Sequence, residues 1–383
     1  MPTVEVIEDL AAAEALAPAW DELAVSCSLP LCAPGWMLAW WRHLAPAASS
    51  LCILAVRDGA QLLAITPWFV QVGDSGRVDL RFLGAEYSDR VDILCVPGHE
   101  REVTEALRDA LLGLRPQPHL IAFEAVPVGS RWTRRIAGGW SGHARFGRYR
   151  NSSYPAPSVT LPAGRPEEWL AARSSNFRGQ MGRLRRRLER EGGAVRQITA
   201  PGEVERAVED LLSMHAGRWE GRAPSHLTRT GVAAMLKDAA SALGPDRLRL
   251  WAAEIDGKPI SVQLFLAAGG ELKYWNGGWS EEHAALKPSM LTILAALQDA
   301  ISRNEHRLDL GAGTHAYKLR FADAEDTLTW GGVIVHNRRW ARTRAELMPR
   351  VLRYRSKLLV RALPAPITER VEAAVRARRR DPA

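Results

Sequence analysis

The sequence predicts an α/β (α+β) chain: two domains, each a mixed central sheet flanked by helices, and added helices at the end. Two observations carry this. In the second half three strand-like runs follow one another, Leu248–Ile255, Ile260–Ala267 and Leu272–Trp279. Asp256-Gly257 and Gly269-Gly270 join them, and both dipeptides are strong hairpin signals. The first half offers a rougher version of the same element order, without a repeat of sequence. At about 150 residues per domain, a chain of 383 residues holds two such units and a tail.

The elements follow in order. Helical patterns cover Leu10–Val25 and Gly35–Leu44. Strands are expected at Leu51–Val56 and Leu62–Val70, with Asp58-Gly59 as the turn, then at Val78–Leu83 and Val91–Val96. His99–Leu114 reads as a helix and Leu120–Val126 as a strand. Asn151–Pro166 then carries four prolines and no long periodic run, which sets the expected boundary, with a short strand at Val159–Leu161 inside it. The expected division is residues 1–153, 154–336 and a basic helical tail, 337–383.

In the second half Phe177, Met181, Leu184 and Leu188 form one apolar stripe, so Ser175–Glu191 reads as a helix ended by Gly192-Gly193. Gly202–Trp219 and Leu227–Leu243 are two more. After the three strands come a helix from Ser289 to Arg303, a strand at Arg307–Leu310, a short helix at Tyr317–Phe321 and a strand at Thr327–Val335. Trp340–Leu363 and Ile367–Arg379 read as helices separated by Pro364-Ala365-Pro366.

Composition narrows the class. A hydrophobic share of 46% and a charged share of 25% suit a soluble globular protein. No apolar run approaches the roughly 20 residues of a membrane span. The N-terminus has early acids and no apolar signal core, so the expected location is cytoplasmic. The four cysteines form no CxxC pair and have no histidine cluster beside them, so they read as buried thiols and no metal site is expected. The net charge of +8 is concentrated in Arg183–Arg190 and in the tail from Arg338 onward. It favours anionic partners: a nucleotide cofactor, RNA, an acidic glycan or a membrane surface.

Seven stretches together resemble a known family. They are Trp36–Trp41 (WMLAWW), Glu86–Asp92 (EYSDRVD), Ser175–Leu188 (SNFRGQMGRLRRRL), Trp251–Phe265, Lys273–Trp279 (KYWNGGW), Lys287–Leu291 (KPSML) and Asp309–Phe321 (DLGAGTHAYKLRF). Their order and spacing resemble the GNAT acyltransferase superfamily. Within it they look like the cellulose-biosynthesis-type GNAT-like proteins, which are relatives of the Fem-type aminoacyl transferases. The resemblance implies two GNAT-like folds in tandem, with acyl-CoA (acetyl-CoA) as co-substrate in a wedge between two splayed parallel strands. It places the pantetheine along Leu272–Trp279, hence at Tyr274, Trp275, Asn276 and Gly277. It places the pyrophosphate at the helix start formed by Lys287, Pro288, Ser289 and Met290. Many relatives have a glycine where Ser289 stands here.

Physical chemistry supports parts of this separately. Pro288 fits the first position of a helix, whose unpaired N–H groups attract phosphate. Glycines at 277 and 278 allow close approach to backbone. By resemblance Tyr317 protonates a leaving thiolate, and Lys318 steadies negative charge on the thioester oxygen or meets phosphate. Asp309, at a strand end, is read either as an orienting group or base, or as a cap on the following amides. Asp89, His215, Trp219 and Gln263 are candidates for the acceptor side. Gln263 interrupts an apolar strand, where a buried amide needs partners. Three functions compete: acyl transfer from acyl-CoA to an amine or hydroxyl of a sugar, envelope precursor or small molecule; Fem-like transfer from aminoacyl-tRNA, ranked second because no long coiled-coil arm is visible; and a non-catalytic role in exopolysaccharide assembly. The basic helices suggest an additional contact with an anionic glycan or membrane surface.

Overall fold

A computed structural model describes residues 2–84, 86–138, 147–219 and 225–361, the side chains of residues 218, 219 and 361 excepted. The strands are β1 (Thr3–Ile7), β2 (Ser49–Asp58), β3 (Gln61–Val72), β4 (Val78–Phe82), β5 (Leu94–Cys95), β6 (Leu120–Pro127), β7 (Arg148–Thr160), β8 (Gly193–Ile198), β9 (Leu248–Ile255), β10 (Lys258–Ala268), β11 (Glu271–Trp279), β12 (Arg307–Asp309) and β13 (Ala324–Ile334). The helices described are α1 (Leu10–Ser26), α2 (Pro34–Leu44), α3 (Glu100–Gly113), α4 (Trp132–Ala137), α5 (Pro166–Ala171), α6 (Ser175–Arg190), α7 (Pro201–Trp219), α8 (Val232–Arg247), α9 (Pro288–Ser302), α10 (Ala316–Phe321) and α11 (Trp340–Arg361).

All strands join one mixed sheet in the order β1-β2-β3-β4-β6-β13-β7-β12-β11-β10-β9-β8, with β5 beside β3. The order is nearly symmetric about its centre. In each half four antiparallel strands end on a parallel pair, β4 with β6 and β11 with β12. A helix makes the crossover, α3 in the first half and α9 in the second. The halves also exchange their last strands: β13 pairs with β6, and β7 pairs with β12. The expected division at 153/154 falls inside β7.

Two of the four prolines that suggested a break there, Pro155 and Pro157, stand in a strand of 13 residues. In an antiparallel strand a residue's N–H and C=O point to the same side. The carbonyls of Pro155 and Pro157 accept from Gly313 and Leu310, on the side where β12 has ended. No ladder donor is needed there, so proline costs nothing. β1 and β8 are not legible in the sequence because they are the two sheet edges, each with a single buried residue. The expected strand Val91–Val96 shrinks to Leu94–Cys95, because the amides of Arg90 and Val91 bond instead to Ala125 O. The helix expected from Leu227 begins at Val232, after Gly231 at φ 95°. The expected helix Ile367–Arg379 lies outside the described residues.

Burial holds this together. The WMLAWW stretch lies on α2, with Trp36, Met37 and Ala39 fully enclosed. The stripe Phe177, Met181, Leu184 and Leu188 of α6 is buried, and Ser174 caps that helix by accepting from Phe177 N. Cys32, Cys52 and Cys95 are buried, Cys27 is partly so, and all four are free thiols. No helix among the described residues is long and apolar enough to cross a membrane.

Candidate active site between the splayed strands

The parallel register of β11 and β12 is three residues long, Glu271↔Arg307, Leu272↔Leu308 and Lys273↔Asp309. Beyond it the strands part. Leu310 N and Gly313 N turn to the carbonyls of Pro157 and Pro155 on β7. The edge of β11 from Tyr274 to Trp279 therefore has no β12 partner, while β10 pairs along its other side. A β-bulge at Trp275 bends the strand just past the point of parting. The bulge aims the indole at the first half, where Nε1 donates to Tyr87 O (2.7 Å) and the ring meets Trp36 edge-on.

The wedge is a cavity of about 850 Å³, within the usual range for a ligand site. Tyr274, Trp275, Asn276, Gly277, Lys287, Pro288, Ser289 and Met290 all line it, as do Asp89, His215, Gln263, Tyr317 and Lys318. Asp309 does not: it is wholly enclosed behind the wall. Trp219 ends α7, and its side chain lies outside the described residues.

The start of α9 is built for an anion. Lys287 is the N-cap at φ 46° and ψ 52°, a left-handed conformation uncommon for a residue with a side chain. Pro288 follows at the first helical position, no side chain caps the turn, and no acid stands in it. Ser289 does not crowd the site as a larger residue would, since its Oγ is held inward by Gln263 Nε2 (3.1 Å). Lys287, Lys318 and Arg320 are the wall's cations, and Asp89 is its one carboxylate among the described residues.

Gln263 lines the cleft and finds its partners within the protein. Its Nε2 also donates to Ser261 Oγ (2.9 Å), and its Oε1 accepts from Tyr274 OH (2.8 Å). The amide is satisfied within the protein, where it ties β10 to β11 and to α9. The glycines are explained the same way. A Cβ at Gly277 would collide with the Gln263 amide, and one at Gly278 with Leu211 O and Met214. They permit close packing of the protein on itself. His215 is buried and shares a hydrogen bond of 2.9 Å with Ser225.

Behind the wall lies a charge network that joins the halves. Lys273 Nζ, 2% exposed, contacts Asp89 (2.6 Å) and Asp309 (3.1 Å). Asp309 also pairs with Arg90 and accepts from Gly311 N (2.7 Å). Asp89 accepts from Ala312 N (3.0 Å), and Arg90 reaches Asp326 (2.6 Å). Asp309 is thus a cap on the Gly311 turn as well as an ion-pair partner. Burial raises its pKa, but Lys273, Arg90 and Arg307 outweigh that and hold it below the usual carboxylate range. Burial pulls Lys273 down, and Asp309 and Asp89 more than offset it. Lys318 has no such partner on an acid: it donates to the carbonyls of Gly311 (3.2 Å) and Ala312 (3.0 Å). Burial, then the charge of Lys273, pulls its pKa down to about 8. Tyr317 stands on the first turn of α10, its ring stacked on His315 with centroids 6.1 Å apart.

Sequence reasoning did not single out Lys273, Arg90, Ser225 or His226 as site residues. The first two had a readable signal. A lysine between Leu272 and Tyr274 in an apolar strand, like an arginine in Asp89-Arg90-Val91, demands a buried acid.

The open parallel pair, with a helix start facing the gap, makes a ligand-sized cleft within a nearly two-fold mixed sheet. Residues 175–319 match the family model of the acetyltransferase (GNAT) domain. That segment runs from α6 through most of α10 and holds every wall residue of the cleft except Asp89 and Arg320. No curated protein sequence matches the chain. Among solved structures, FemX is similar with a TM-score of 0.61 at 11% identity, over 83% of this chain and 96% of that one. The C-terminal domain of a putative lysylphosphatidylglycerol synthetase from Agrobacterium fabrum gives 0.52 at 10%, over 89% and 95%. A conserved protein from Bacteroides thetaiotaomicron gives 0.53 at 10%, over 87% and 100%. At such identities the likeness is one of fold. The mixed α/β class expected from the sequence is the one found, and the match to the GNAT domain model lies in the second half.

Proposed function

We infer that the chain transfers an acyl group from acyl-CoA to an amine or hydroxyl, by direct attack within the cleft between β11 and β12. The observation that carries this reading is the parting of β11 from β12 after Lys273↔Asp309, opposite the uncapped, acid-free start of α9. The residues fit a CoA: an open strand edge for the pantetheine amides, and Lys287, Arg320 and the first turn of α9 for phosphates. Bound acyl-CoA supplies the acyl group as a thioester, activated for attack. Tyr317 gives its phenolic proton to the departing sulfur. Lys318, a cation below about pH 8, steadies charge at the thioester oxygen, with two of its protons pinned to Gly311 and Ala312. Asp309 is a positioning residue here, holding the Gly311 turn and Lys273. Asp89, His215 and the Ser225–His226 segment face the acceptor, which proximity brings to the carbonyl. The motifs Lys287–Leu291 and Asp309–Phe321 favour the cellulose-biosynthesis-type subgroup, and hence a glycan or envelope precursor as acceptor.

Release of free thiol from acetyl-CoA in the presence of amine and hydroxyl acceptors tests the reading. Acceptor-dependent release that falls about 100-fold in Tyr317→Phe supports it. No binding of any acyl-CoA, with transfer from aminoacyl-tRNA instead, replaces it with the Fem-like alternative.

A further inference from the structure

A second hollow, of about 710 Å³, shares no residue with the cleft. It lies where α4, the start of β7 and β13 meet the overlying helix α11. Its cations are Arg131, Arg134, Arg148, Arg150, Arg344 and Arg355. A smaller hollow of about 300 Å³ adjoins it, sharing Tyr354 and Leu358, and adds Arg350, Arg353 and Lys357. Neither hollow has an aspartate or glutamate among its described lining residues. The one carboxylate of α11, Glu346, is already bound by Arg77, Arg339 and Arg342. Elsewhere several arginines meet acids, as in Arg42–Glu14, Arg196–Glu203 and Arg303–Asp246. Arg344 aside, eight cations gather there without a carboxylate among the described residues, and counter-ions or an anionic ligand would neutralise them.

The walls and rim say which anion. The larger hollow is walled by Val126, Val128, Leu347, Met348 and Val351, apolar groups that inorganic phosphate cannot use. On the same helix Leu352, Leu358 and Leu359 are 56%, 42% and 71% exposed, and Tyr154 on the rim of the smaller hollow is 46% exposed. Leu352 and Leu359 are seven residues apart, two turns along one helix face. Exposed leucines beside paired arginines and lysines suit the boundary between headgroups and acyl chains. RNA would want flat stacking platforms. The tryptophan of the hollow, Trp330, meets Tyr154 edge-on instead.

We propose that this arginine hollow beneath α11 is a docking site for the phosphate headgroup of an anionic membrane lipid, with Leu352 and Leu359 entering the bilayer surface. The site is independent of the acyl-transfer reading.

The test is flotation of the full chain with vesicles of phosphatidylcholine alone and with phosphatidylglycerol admixed, and with RNA as a separate arm. The chain is expected to float only with the anionic vesicles. Arg148→Gln and Arg150→Gln each weaken that binding by about fivefold, and salt does so too. Leu352→Ser with Leu359→Ser weakens it by about tenfold or more at unchanged net charge. Unchanged thermal melting shows that these exposed substitutions leave the fold intact. Equal recovery with neutral and anionic vesicles, or none with either, overturns the proposal. So does RNA binding that depends on the arginines and ignores the leucines.

Discussion

The two halves of the sheet carry the same junction and treat it oppositely. In the first half β4 and β6 run parallel through Asp79↔Leu120 and Leu80↔Ile121. Where they part, Trp68, Phe82 and Phe123 fill the space with three rings, their centroids 5.7 to 6.3 Å apart and all essentially buried. The crossover helix α3 then begins with Glu100 and Glu102, which would repel a phosphate at its start. In the second half the equivalent space is a cavity, and α9 begins with Pro288 behind a cationic N-cap. The first half has become a buttress that sends Asp89 and Arg90 across to support the second. One architecture can be a site or a filler, depending on a few side chains at the point of parting.

The comparison can be broken at its charged hinge first. Lys273→Met strips Asp309 and Asp89 of their shared buried cation, and removal of one partner of a buried pair costs about 3–5 kcal/mol. Its first-half counterpart, Arg81→Met, breaks the partly exposed pair with Glu124 (2.8 Å), for which about 1 kcal/mol is expected. Urea melts of both variants check the contrast; equal losses would remove the distinction between hinge and buttress.

Tyr317→Phe comes next, lowering kcat/KM about 100-fold, or about 2.7 kcal/mol, without a change in melting. Smaller still is Ser289→Glu, which gives α9 the acidic first turn that α3 has. Calorimetry should show acetyl-CoA bound roughly tenfold more weakly, about 1.4 kcal/mol. Glu100→Ser together with Glu102→Ser should create no second binding event, because the rings still fill the first-half wedge. The mildest effect is that of pH. Lys318 is depressed to about 8, so it is charged below that pH and neutral above it. The rate with a hydroxyl acceptor, which does not itself titrate here, should fall as pH rises through about 8. In Lys318→Arg that falling limb should vanish.

How much of this was legible follows from what local pattern can encode. The hairpins at Asp256-Gly257 and Gly269-Gly270 and the helix start at Pro288 are local, and each stands within about one residue of its expected place. The cleft wall was legible through the order of motifs, from Lys273 to Lys318. The strand exchange was not, because pairing of β13 with β6 joins residues some 200 apart and leaves no local trace. The partners of Gln263 and Asp309 were equally hidden, although the demand for partners was plain from a polar group in an apolar strand. The six arginines of the hollow under α11 come from three elements and the loop before α4, so their sum is a property of the fold alone.

The most direct test of the account is the stoichiometry of acetyl-CoA binding to the intact chain by isothermal titration. The account predicts one molecule per chain, weakened by Ser289→Glu and by Lys287→Glu and indifferent to Glu100→Ser. Two molecules per chain, or one whose affinity follows α3 and ignores α9, would contradict it.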